Sequence, residues 1–183
     1  MGKSAVLKEL QSRGYRAYGT DEHGIARWES RKTGQVMDPP ADYDLHAWYK
    51  DHEWTINPAE IAKLADQSEG SGTPIFLCGV AAGTELVSHL FNTVIVLVTD
   101  SETLRRRILA RTDNNFGKTE AEMKIVLEWQ QKHVENYRKT GVRIIDATPS
   151  VQDVVSRVLG SSATSLPGAH LFQPEMRAKR GRS

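Results

Sequence analysis

The chain has 183 residues, 39 % of them hydrophobic and 26 % charged, and its 24 basic and 23 acidic side chains nearly cancel. That is enough chain for one domain with its own core, and a balance of this kind gives no global field to draw in a nucleic acid or a membrane surface. No apolar run nears the roughly 20 residues of a membrane span and no apolar leader opens the sequence, so neither a membrane nor a nucleic-acid partner is expected.

In chain order, the first predicted element is a helix over residues 4–13, with Val6, Leu7 and Leu10 at helical spacing and Gly14 behind it as a C-cap. YRAYGTDE reads as a short strand ending in a polar turn. Residues 23–57 hold Trp28, Trp48 and Trp54. Gly34, Pro39 and Pro40 punctuate this stretch, which predicts turns rather than long elements. Asn57-Pro58 opens a helix, PAEIAKLADQ, with proline at its first position, and SEGSGT follows as a flexible turn. PIFLCGV is an apolar run of strand length. It contains Cys78, the only cysteine, so no internal disulfide can form, and an intracellular, cytoplasmic setting is expected.

ELVSHLF predicts a short helix and TVIVLVTD a second buried strand. SETLRRRILAR predicts a helix capped by Ser101, and TDNNFGK a loop. EAEMKIVLEWQQKHVENYRKT predicts a long helix with Met123, Val126, Leu127, Val134 and Tyr137 on its apolar face, ended by Gly141. VRIIDAT is the last strand and SVQDVVSRVL the last helix. From Gly160 to Ser183 the chain has no periodicity and is rich in Gly, Ser and Pro, which predicts a disordered tail; its terminal basic residues read as a solvated end. Continuous apolar strands alternating with helices imply an α/β fold, a parallel sheet covered on both faces.

The opening Gly2-Lys3-Ser4 matches the last three fixed positions of the phosphate loop G-x-x-x-x-G-K-[ST] and leads directly into an amphipathic helix. In such a loop backbone N–H groups face the phosphates, the lysine meets β/γ oxygens and the hydroxyl holds magnesium. The bland alternative is an ordinary N-terminal helix with a polar start. GKSAVLKELQSRGYRAYGTDE resembles the start of P-loop kinases of the adenylate, shikimate and gluconate kinase superfamily, and most closely small bacterial ATP-binding proteins of the kinase-like AAA group. The resemblance covers residues 2 to about 159. It implies a three-layer α/β/α parallel sheet, ATP and Mg2+ as cofactors, and transfer of a phosphoryl group to a small-molecule acceptor. Lys3 would bind the phosphates, Ser4 and Asp21 the metal, and Asp21 would also orient the acceptor, with Glu22 beside it as the alternative acid.

RILARTDNNFGK resembles the start of the lid in nucleotide kinases, residues 107–118 here. Arg107 and Arg111, four apart, and Lys118 across the loop would clamp phosphates, as guanidinium forks do well. A solvated basic helix face is the alternative, and Arg105 and Arg106 read as that. RIIDATPS resembles the loop that lines the adenine pocket, which assigns Asp146, Ala147 and Thr148 to nucleotide contact; a strand-to-helix turn capped by Thr148 or Ser150 is the other reading. Residues 23–57 lie where such kinases carry a substrate-binding insertion. There Arg27 and Arg31 would hold an anionic acceptor and the tryptophans would stack on a base, unless those rings pack a small satellite core.

Two departures from the pattern stand out. The third-strand region reads FLCGVAAGTE, where many nucleotide kinases carry an aspartate. The glycine-rich half of the loop and the central strand that should precede it are absent, so the first strand is expected to be missing. A misplaced start, with a valine codon read as initiator, would explain it, and the natural protein would carry about 10–15 more residues at roughly 3.3 Å each. A chain beginning at Met1 is expected to bind nucleotide weakly or not at all, with homodimerisation or strand exchange covering the gap. These departures keep a second function open, that of a non-catalytic, regulatory nucleotide-binding module.

Overall fold

The computed structural model describes residues 2–42, 45–112, 117–139 and 142–162. Its elements are α1 (Lys3–Ser12), β1 (Arg16–Gly19), β2 (Ala26–Ser30), α2 (Leu45–Asp51), β3 (His52–Ile56), α3 (Pro58–Ser71), β4 (Ile75–Cys78), a 3₁₀ helix (Thr84–Leu90), β5 (Ile95–Val98), α4 (Ser101–Ala110), α5 (Glu120–Lys139), β6 (Arg143–Asp146) and α6 (Val151–Ser162). The chain is therefore α/β. Its parallel strands pair two by two, β1 with β4 and β5 with β6, while β2 and β3 form an antiparallel ribbon.

Strand alternation distributes the core. Ala17 of β1, Phe76 and Cys78 of β4, Ile95 and Leu97 of β5 and Ile145 of β6 all meet Val6, Leu7 and Leu10 of α1 and Val154, Val155 and Val158 of α6. The intervening residues Tyr18 and Leu77 turn the other way, into a second cluster with Ile25, Ile56, Ile61 of α3 and Val87. Both faces of the β1–β4 pair are thus covered, as the unbroken apolar runs predict. A third cluster, Leu104, Ile108, Met123 and Val126, joins α4 to α5.

Helix ends follow local chemistry, with three departures from the predicted boundaries. Asn57 caps α3 as expected, its Oδ1 accepting from the Ala59 N–H at 3.2 Å. The helix then runs on through the segment expected to turn, because Arg16 of β1 bonds Ser71 Oγ and Gln67 Oε1 and so pins the last turn. Gly72, at φ 61°, stops it. At α4 the cap is Asp100 rather than Ser101: its Oδ1 accepts from the Thr103 N–H at 2.7 Å. Ser150 caps α6 reciprocally with Asp153, its Oγ accepting from the Asp153 N–H and donating to Oδ2. The helix continues to Ser162, beyond the expected start of the tail at Gly160, and Ser161 is buried with its carbonyl bonded by Arg143. Residues 163–183, most of the lid loop and Gly141 lie outside the described residues.

Residues 23–57 are more regular than the turn signals suggested. Trp28 and Trp54 stand directly opposite in the β2–β3 ladder. Trp28 also meets Tyr49 edge-on at 4.9 Å and Trp48 at 6.2 Å, while Trp48 stacks on His52 at 3.6 Å. The tryptophans pack on each other, and this satellite core holds a ribbon whose strands are too far apart in sequence for a local pattern to reveal. Removing its hub should be felt: Trp28→Ala is expected to lower stability by about 2–4 kcal/mol, measured by urea unfolding followed by far-UV circular dichroism.

Candidate functional site

The sequence-predicted residues fall into two groups. The first surrounds the start of α1. Gly2 takes φ 103°, a left-handed turn that a side chain would strain, and no side chain caps the helix behind it. The first-turn N–H groups of Lys3, Ser4 and Ala5 precede the first intrahelical bond, Val6 N–H to Gly2 C=O at 2.9 Å. Lys3 is half-buried and Ser4 exposed. Leu7 of α1 packs against Gly19, which places the start of α1 at the carboxyl end of β1, next to its ladder partner Cys78 at the end of β4.

Thr20 to His23 follow β1 at the same end. Asp21 turns its carboxylate to the Thr20 hydroxyl, which donates at 2.8 Å. Glu22 turns the other way: its carboxylate lies over Gly19, where a Cβ would sit 1.9 Å from Oε2 and 2.9 Å from Leu7 of α1. Of the two adjacent acids, Glu22 is therefore the one directed toward α1, a choice the sequence left open. Gly79 is as tightly placed, since a Cβ there would meet Thr20 Oγ1 at 2.0 Å. Small residues at both strand ends let the two backbones and the acid converge.

Cys78 reports on this corner. Burial pushes its thiol up to about 11 from an ordinary 9.0; Glu22 adds to the rise and Lys3 opposes it. The thiol is therefore neutral at physiological pH and no nucleophile. Its contribution to stability is complete below about pH 9 and is lost as pH climbs from there to about 11.

The second group joins the ends of β5 and β6. The Arg107 guanidinium donates to the carbonyls of Ala147 at 2.7 Å, Thr148 at 3.1 Å and Pro149 at 3.2 Å. Asp146 Oδ1 accepts from the Thr148 N–H, and the Thr148 hydroxyl reaches Asp100 Oδ2. Gln130 of α5 donates to the Thr99 carbonyl. Hydrogen bonds from Thr103 hold Asp100 down to about 2 from an ordinary 3.8, and those from Thr148 likewise lower Asp146. Arg107 and residues 146–148 are brought together, and the arginine grips the loop's own backbone. Arg111 is the C-cap of α4, where ψ turns extended and the chain leaves the helix. Lys118 follows Gly117, whose N–H bonds Glu122 and which packs on Ile108 and Val126.

Beside this second group lies an open groove of about 1040 Å³ between the start of α4 and α5. Arg105, Lys124 and Arg138 share it with four carboxylates, Asp100, Glu120, Glu128 and Glu135, so it carries a slight negative excess and does not select an anion. In the 23–57 segment, Arg27 pairs with Glu29 and Arg31 with Glu53, each within the ribbon. Among the described residues no three His, Cys, Asp or Glu side chains cluster to hold a metal, and no helix is long and apolar enough to cross a membrane.

No protein-family model and no curated protein matches this chain.

Two measurements follow from these contacts. The rate of Cys78 alkylation against pH should shift downward in Glu22→Gln and upward in Lys3→Met; a profile unmoved by either would separate both residues from the corner. Stability carried by Asp100 is present above about pH 4 and is lost as pH falls toward about 2. Asp100→Asn should therefore flatten the acid limb of a stability–pH curve.

Proposed function

We propose that this chain binds a nucleoside triphosphate, ATP with Mg2+, through the start of α1, and that it is an ATP-dependent phosphotransferase acting on a small anionic metabolite. One observation carries the reading: the Gly-Lys-Ser turn enters α1 with uncapped first-turn N–H groups, at the same strand ends where Glu22 is aimed inward. The arrangement fits an anionic ligand. A helix N-terminus with free N–H groups favours negative charge, and Lys3 adds a mobile cation.

Bound Mg–ATP would supply the transferable phosphoryl group and the cation that neutralises it. Lys3 would hold the β/γ oxygens and the Ser4 hydroxyl would complete the metal's shell. Glu22, rather than the Thr20-bonded Asp21, would orient the acceptor hydroxyl and receive its proton. The three-layer sheet of the P-loop kinases is the architecture this reading assumes.

A second reading is favoured by a specific observation. Arg107 is engaged by three backbone carbonyls, and β4 ends in Cys78-Gly79 with no acid. A chain short of these two electrostatic elements suits a regulatory module that binds nucleotide without transferring phosphate.

Isothermal titration with Mg–ATP, then a product assay across hydroxyl and phosphate acceptors, separates the two. Lys3→Met is expected to weaken ATP binding at least about tenfold, the loss of one charge-assisted contact. Unchanged affinity would remove Lys3 from the site; binding without any product would favour the module.

A further inference from the structure

Among the described residues β1 has one ladder partner, β4, so its other side is an edge. The Thr20 N–H that follows β1 bonds the Cys78 carbonyl at 3.0 Å, toward β4. Successive N–H groups of an extended chain point to opposite sides, which turns the Gly19 N–H outward, to the edge. It donates there to Nδ1 of His23 at 3.0 Å, and the His23 N–H donates back to the Gly19 carbonyl at 3.2 Å. One residue thus takes both polar groups of Gly19, as a ladder neighbour would.

A backbone N–H can only donate, so Nδ1 is the acceptor and the ring's hydrogen sits on Nε2. The ring stands edge-on to Tyr18, with centroids 5.4 Å apart, beside a small cavity bounded also by Ile25, Glu60 and Leu64. The chain then reverses at Gly24, φ 64°, and the Ala26 N–H bonds the Thr20 carbonyl at 3.1 Å. Residues 20–23 are therefore tied on both sides, and the two acids stand between the ties. Asp21 is engaged by the Thr20 hydroxyl. Glu22 is exposed, so burial does not hold it, yet its carboxylate lies over Gly19, the residue that His23 clasps. An exposed glutamate samples water-facing rotamers freely, and its placement depends on where the turn sets its backbone.

We propose that His23 is a positioning residue: by clasping Gly19 through Nδ1 it fixes the turn of residues 20–23 and so holds Glu22 toward α1. The acceptor nitrogen does this, and the ring only orients it. The inference deepens the proposed function, in which Glu22 receives the acceptor's proton. Its test needs no nucleotide, because Glu22 acts on the Cys78 thiol in the protein alone. Failure of the clasp would leave ATP binding standing, and failure of ATP binding would leave the clasp standing.

Two substitutions separate the parts of the side chain. His23→Asn keeps an acceptor oxygen at the same remove from Cβ as Nδ1, without the ring. His23→Phe keeps a ring against Tyr18 and lacks the acceptor. Hydrogen exchange of the Gly19 amide at about pH 8 and the pH profile of Cys78 alkylation are read for both. The thiol titrates above the range in which an imidazole gains charge, so neither substitution alters the charge around it. His23→Phe is expected to speed Gly19 exchange at least about tenfold. It should also move the Cys78 profile downward, as Glu22→Gln does, and add nothing when the two are combined. His23→Asn is expected to leave both readouts where the unsubstituted protein has them. Unchanged Gly19 exchange or an unmoved Cys78 profile in His23→Phe would overturn the proposal. So would a His23→Phe shift that persists undiminished in Glu22→Gln, or a His23→Asn form that behaves like His23→Phe.

Discussion

The packing of α1 holds the rest together. Leu10, 1 % exposed, and its neighbours Val6 and Leu7 face β1, β4 and α6 at once, and the same cluster takes side chains from β5 and β6. Two parallel pairs that share no ladder are thereby gathered on one apolar wedge. The hydrophobic effect is non-directional and tolerates this, whereas backbone ladders do not. The functional consequence is positional: the helix that fills the core is the helix whose first turn carries Gly2, Lys3 and Ser4. Any ligand held there is held by a helix anchored in the core, and rigid support is what an electrostatic site needs.

The region after the carboxyl ends of β5 and β6 is organised by hydrogen bonds rather than apolar area. Arg107, Asp100, Asp146 and Thr148 tie α4, β5, β6 and the entry to α6 into one polar knot. Arg107, Asp100 and Asp146 satisfy backbone groups that would otherwise be unpaired at helix and strand ends, and the Thr148 hydroxyl links them through Asp100. A guanidinium that bonds three carbonyls is a strut. This is why a residue placed four from another arginine, in a lid-like string, takes a structural position here.

Much of the fold was legible because it is local. The spacing of Val6, Leu7 and Leu10 reveals α1, Asn57-Pro58 marks the start of α3, and IFLC and IVLV stand out as buried strands. The ribbon of β2 and β3 was not, because its register rests on Trp28 meeting Trp54 across 26 positions, which no window of periodicity spans. Asp100 was passed over as the α4 cap in favour of the serine beside it; the carboxylate three residues before Thr103 was the available signal. The candidate site was legible in its cations and obscure in its acids. Asp21 and Glu22 are adjacent, and only the close packing of Glu22 over Gly19 tells them apart. Gly79 looked merely small; the Thr20 side chain against it shows why it has no side chain.

The central claim is that the amino end of α1, with Lys3 and Glu22, forms an anion site at the strand ends. Amide chemical-shift mapping during a Mg–ATP titration tests it most directly. The account predicts shifts led by Gly2, Lys3 and Ser4 and extending to Glu22 and Gly79. Shifts confined to the groove around Arg105, Lys124 and Arg138, with the start of α1 unmoved, would contradict it.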